Sequence, residues 1–199
     1  MKIIGILGGV ASGKSFVAGQ LAQMGAGVLD ADRAAHAVLR LPAVEEAARG
    51  RWGETVFGAD GHIDRSRLAE IVFSPPPKGA EERGFLEELT HPEIGRVLEQ
   101  EAQRLAAAGV AAAVLDAPLV LESGWDRFCD RLVFVDVPRK LRIARALARG
   151  WTQEEFAARE GAQESLDCKR ARADVVVDNS GSPEETQHQL ERFWRSLVG

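Results

Sequence analysis

Residues 8 to 15 read Gly-Gly-Val-Ala-Ser-Gly-Lys-Ser, directly after the apolar run Ile3–Leu7 and directly before a stretch with helical patterning. The spacing is G-x-x-x-x-G-K-[ST], and few short patterns restrict a fold so tightly. Glycines let the chain curl until successive backbone N–H groups point inward, where they can hold phosphate oxygens. The helix that follows aims its positive end at the same place. Lys14 adds a point charge for the β and γ phosphates, and Ser15 offers a hydroxyl to Mg2+. Lysine is scarce in this chain, five against twenty arginines, so a lysine at this point is informative. A short apolar run behind Lys2 is also the outline of an export leader. A leader would be followed by a separate mature domain, whereas here strand and helix continue in the context the loop requires. Gly8, Gly9, Val10, Ala11, Ser12, Gly13, Lys14 and Ser15 are therefore read as a phosphate loop.

Four more short runs rich in Val, Ile and Leu follow: Gly27–Leu29, Ala111–Leu115, Leu132–Val137 and Val175–Val177. Such unbroken runs suit strands buried on both faces of a parallel sheet. Helical patterns lie between them, including Ser15–Met24, Pro92–Ala108, Arg139–Arg149 and Pro183–Leu197. Thr152 with Glu155 and Ser182 with Glu185 fit the capping box, and Pro183 occupies the favoured first helical position. Strands alternating with helices predict an α/β fold with a mostly parallel sheet. The alternation breaks between about Asp32 and Gly109, a span with many helix formers and no convincing strand, which reads as a helical insertion between the second and third strands.

The 199 residues carry a net charge of −5, with 45% hydrophobic and 28% charged residues, as in an ordinary globular protein. That balance argues against a nucleic-acid backbone or an anionic membrane as the main partner. No apolar stretch approaches the ~18 residues needed to span a bilayer. The two cysteines, Cys129 and Cys168, have no metal-ligand spacing and read as free thiols. The four histidines show no zinc pattern.

Several side chains are candidates for chemistry beside the loop. Asp30 and Asp32 end the second apolar run, at the sheet edge where open α/β folds bind ligands. On an extended segment the two would face one side, and one carboxylate could accept the proton of an attacking hydroxyl. Asp32 could equally cap a helix beginning near Arg33. Arg142, Arg145 and Arg149 share a helical face, either as a solvated basic stripe or as a mobile lid that carries guanidinium groups to the phosphates. Asp116 could organise a metal or start a turn. His91 could touch substrate or stand at a helix start, since Thr90 with Glu93 also fits a capping box. Asn179, the single asparagine, could read an adenine or cap a turn.

Together, "GGVASGKS", "VLDAD", "FGADGHIDR", "THP", "DAPLVLESG", "RALARG" and "ADVVVDNSGS" resemble the dephospho-CoA kinase family in order and spacing, nearly end to end. The resemblance implies a three-layer P-loop kinase fold in three parts. The nucleotide-binding core would comprise residues 1–33, 109–138 and 169–199, with a helical CoA-binding insertion at 34–108 and a small helical lid at 139–168. It implies ATP- and Mg2+-dependent phosphorylation of the ribose 3′-hydroxyl of dephospho-CoA in the cytoplasm, with no obligate protein partner. By position, Asp32 resembles the general base, Lys14 the phosphate clamp and Arg145 the lid arginine that stabilises transferred charge. Arg142 and Asn179 would flank the ATP base, while Asp64, Arg65 and His91 would belong to the acceptor side. The chain departs from the family pattern at Ala11, where glycine is usual, and at Phe16, where threonine is usual. Ala11 is compatible with the loop if its φ is negative; Phe16 lacks a hydroxyl that commonly helps hold the α-phosphate. The rival readings are another P-loop nucleoside or nucleotide kinase and a GTP-dependent switch. A switch would need an Asn-Lys-x-Asp loop, and Asn179 is followed by Ser180.

Overall fold

A computed structural model of the chain describes residues 1–117 and 119–199; Pro118, within the Asp116–Gly124 motif, lies outside them. Five parallel strands form one sheet in the order β2-β3-β1-β4-β5. They are β1 (Lys2–Gly8), β2 (Gly27–Asp30), β3 (Ala112–Asp116), β4 (Arg131–Asp136) and β5 (Val175–Asp178). All five coincide with the apolar runs; β1, β3 and β4 are buried on both faces, as the unbroken runs imply, whereas the edge strands β2 and β5 bury only one, with Val28 and Val176 exposed beside the buried Leu29 and Val177.

Helices α1 (Lys14–Gln23) and α9 (Pro183–Val198) cover one face. Ile4, Ile6, Val114, Val133, Val135 and Val177 point to that side and meet Val17, Leu21, Leu190 and Phe193 in one buried cluster. Helix α8 (Leu166–Arg172) packs on β1 and β4 from the other side, with Arg170 6.0 Å from the ring of Phe134. The result is a three-layer α/β arrangement. Helices α6 (Arg139–Leu147) and α7 (Gln153–Gly161) intervene between β4 and α8. Two of the three capping boxes read from the sequence form: Thr152 with Glu155 starts α7, and Ser182 with Glu185 starts α9.

The chain divides into two compact units, Met1–Asp30 with Ala102–Gly199, and Ala31–Glu101. The second is helical, with α2 (Ala31–Val38), α3 (Pro42–Trp52), α4 (Arg65–Val72) and most of α5 (Lys78–Ala107). Ala48, Val56 and Phe57 make its small core, flanked by Trp52, Ile63 and Ile71. Glu82 is buried there by the Arg51 guanidinium and the Trp52 indole N–H, at 2.9 and 2.8 Å.

Two local expectations fail. Pro92 was expected to open a helix, but α5 runs through it. Proline costs one backbone hydrogen bond in a helix interior, which a helix of 30 residues can absorb, and Thr90 donates back to the Leu86 carbonyl instead of capping. The segment after β2 is not extended either: Ala31 already begins α2, so Asp30 and Asp32 do not alternate along a strand.

Candidate active site

Between β1 and α1 the chain makes the tight turn that the glycines permit. Gly13, φ 93°, stands at the N-cap of α1, and no side chain caps that helix. Ala11 has φ 58°, the one non-glycine residue with positive φ among the described residues. The condition of a negative φ set out for Ala11 is thus not met. The loop needs the left-handed turn to keep its N–H groups convergent, and the methyl group is accommodated by packing beside Val10 against Ala146 and Phe156.

Several features of the loop fit a bound anion. Ser12 is buried, and its hydroxyl has no hydrogen-bond partner. Lys14 folds back to donate to the Gly8 and Gly9 carbonyls at 3.0 and 3.2 Å. Burial, with smaller contributions from Lys169 and Arg142, lowers its pKa to about 8 against the opposing pull of Glu122 and Asp116. An uncapped helix start, an orphaned hydroxyl and a strained cation are what a bound triphosphate would satisfy together. Ser15 is exposed at the first turn of α1, where its hydroxyl can face a Mg2+ ion. No group of three or more His, Cys, Asp or Glu side chains is placed to hold a metal among the described residues. A metal here would depend on Ser15 and phosphate oxygens.

Beyond Gly13 lies an open pocket of about 430 Å³, lined by Phe16, Arg145, Arg149, Asn179, Gly181 and Pro183. The buried Asn179 amide donates to the Ser12 carbonyl at 2.8 Å, and Thr186 donates to the Asn179 side-chain oxygen at 3.1 Å. Arg145 donates to the Asn179 carbonyl at 2.8 Å and to the Ser12 carbonyl at 3.4 Å. Phe16 also packs against the main core.

Arg142 points elsewhere. It is buried against Gly9 and Val10, paired with Glu160 at 2.9 Å, and borders a second pocket of about 520 Å³. Asn179 thus contacts Arg145 directly, while Arg142, which the resemblance pairs with Asn179 at the ATP base, contacts Val10 and Glu160.

Sequence reasoning missed two residues near the loop. Lys169 is almost fully buried and pairs with Glu122 at 2.8 Å. Burial alone would raise the Glu122 pKa, but Lys169 and backbone N–H groups hold it below its ordinary value. Asp30 and Asp116 are register partners at the ends of β2 and β3, which sets two carboxylates side by side at the C-terminal sheet edge.

In the helical unit, Asp32 is exposed in the first turn of α2. Residues 57–64 close a tight turn through the Phe57–Ile63 bridge, and Asp64 then caps α4 by accepting from the Ser66 and Arg67 N–H groups. Arg65 is exposed beside it, and His91 is half-buried within α5.

The family described as dephospho-CoA kinase matches residues 2–185. A dephospho-CoA kinase from Symbiobacterium thermophilum is 42% identical over 100% of this chain and 82% of its own length. One from Bacillus licheniformis is 39% identical, covering 98% of both chains. A crystal structure from Thermus thermophilus superposes with a TM-score of 0.82 at 38% identity, covering 100% of this chain and 98% of its own.

Proposed function

The chain belongs to the dephospho-CoA kinase family, and we propose that it transfers the γ-phosphoryl group of ATP to the ribose 3′-hydroxyl of dephospho-CoA, releasing CoA and ADP in the cytoplasm. The observation that carries the phosphoryl-transfer part is the loop itself, with an orphaned Ser12 hydroxyl beside a Lys14 whose charge is penalised by burial. The acceptor is supported by the family.

In this reading Lys14 exchanges two loop carbonyls for phosphate oxygens, and the N–H groups of residues 9–15 hold the rest of the chain of phosphates. Asn179 and Arg145 border the pocket for the base, with Arg145 placed to follow the phosphates from the lid side. Arg142, held against Gly9, Val10 and Glu160, is assigned to the loop and not to the base. Asp32 accepts the acceptor's proton as its oxygen bonds to the γ-phosphorus, and the departing bridging oxygen keeps the electron pair as ADP. The Ser15 hydroxyl would hold Mg2+, which would supply charge neutralisation to the phosphates. Residues Ala31–Glu101 supply the acceptor side, through Asp64, Arg65 and His91. Among the described residues no helix is long and apolar enough to cross a membrane.

Phosphorus NMR of a mixture of enzyme, Mg-ATP and dephospho-CoA tests the reaction. A new 3′-phosphomonoester resonance appearing with ADP supports it; ADP without that resonance rejects the acceptor.

A further inference from the structure

We propose that Arg142 is a positioning residue that holds the phosphate loop in its left-handed conformation at Ala11 and so ties helices α6 and α7 to nucleotide affinity. This rests on the phosphate-loop reading and is independent of the acceptor.

Arg142 is 2% exposed, and its guanidinium is fastened to three separate segments. Nη1 donates to the Val10 carbonyl at 3.3 Å and pairs with Glu160 of α7 at 2.9 Å, while Nε donates to the Val137 carbonyl at 3.2 Å. The Val10 carbonyl and the Ala11 N–H belong to one planar trans peptide and point in opposite directions. A donor fixed on that carbonyl therefore aims the Ala11 N–H away from Arg142. At φ 58° Ala11 is in a region that L residues avoid, so something outside the residue has to keep it there. Its methyl group and Val10 pack against Ala146 and Phe156 of α6 and α7, which gives the same helices a second grip on the same peptide. Gly9 allows the approach: a Cβ added there would lie 2.8 Å from Arg142 Nη1. A glycine at position 11 would adopt the turn without restraint. Alanine makes the loop dependent on the strut.

The test is a double-mutant cycle read by isothermal titration of Mg-ATP, which needs no acceptor. Arg142→Gln should weaken Mg-ATP binding about 10-fold in the Ala11 protein, and less than about 3-fold when Ala11→Gly is also present, a coupling within the usual range for contacting residues. The KM for dephospho-CoA should be unchanged in all four proteins. Equal losses in both backgrounds would overturn the proposal, because Arg142 would then act on the nucleotide or on general stability. Thermal melts accompany each protein. If Arg142→Gln does not fold, Glu160→Gln, which keeps the guanidinium but removes its charged partner, should give the same asymmetry, and equal losses there would overturn it. A wild-type protein that gives no heat with Mg-ATP would instead reject the phosphate-loop reading on which the proposal stands.

Discussion

The side-chain amide of Asn179 donates to the carbonyl of Ser12 at 2.8 Å, joining the end of β5 to the phosphate loop across 167 positions of sequence. Thr186 holds the amide's orientation from the other side. Gly13 is required for this approach, since a Cβ there would run into the Asn179 amide. The loop is thus supported from two directions, by Asn179 and Arg145 on one side and by Arg142 on the other.

Replacing Asn179 by Asp should expose how much the first support contributes. The variant loses the donor and sets a carboxylate against the Ser12 carbonyl. Breaking a buried hydrogen bond in this way costs about 1–3 kcal/mol, readable by urea unfolding, and the KM for ATP should rise. Unchanged stability and KM would show that Arg145 alone supports the loop from this side.

Lys14 makes stability depend on pH. Its folded pKa of about 8 lies below the ordinary 10.5, so burial disfavours the charged form. Between those two values the unfolded chain binds more protons, and stability rises with pH; below about 8 the full cost of burying the charge is present. Lys14→Met should therefore raise the melting temperature of the nucleotide-free protein at pH 7, with the gain fading in alkali. Nucleotide binding near pH 8 should take up a proton, detected by calorimetry in buffers of different ionisation enthalpy, and Lys14→Met should abolish that uptake.

Cys129 lies against Gly5 and the Trp125 carbonyl. Burial, with Asp126 and Asp130 adding to it, pushes its thiol up to about 12. A thiol so rarely ionised is a poor nucleophile. At pH 8 a thiol reagent should modify Cys129 only after unfolding, and rapid native labelling there would contradict the packing.

Phe156 is 1% exposed and forms the centre of the cluster that joins α7 to Val10. Truncation to alanine should cost about 3–5 kcal/mol. Limited proteolysis should then cut within 148–165 first, because α6 and α7 would lose their hold on the loop. Cleavage elsewhere would place the weak point outside this cluster.

Features written in adjacent residues were legible in the sequence: the five strands, the phosphate loop and the capping boxes at Thr152 and Ser182. What depends on three-dimensional neighbours was not. Arg142 and Arg145 share a helical face by spacing, yet their long side chains diverge, one to Glu160 and Val10, the other to Ser12 and Asn179. Lys169 carries no local mark of its burial, which arises because α8 covers β1 and β4 beside Glu122. Pro92 looked like a boundary because a proline signal is local, while the helix around it is held by packing on either side. Ala11 is one residue in an otherwise regular motif, and only the backbone reveals its sign of φ.

The most direct test of the account is ADP release from Mg-ATP with dephospho-CoA, with adenosine, and with no acceptor, in the wild type and in Asp32→Asn. The account predicts release only with dephospho-CoA, CoA appearing at the same rate, and turnover abolished in Asp32→Asn while ATP binding persists. Release with adenosine alone, or near-normal turnover in Asp32→Asn, would contradict it.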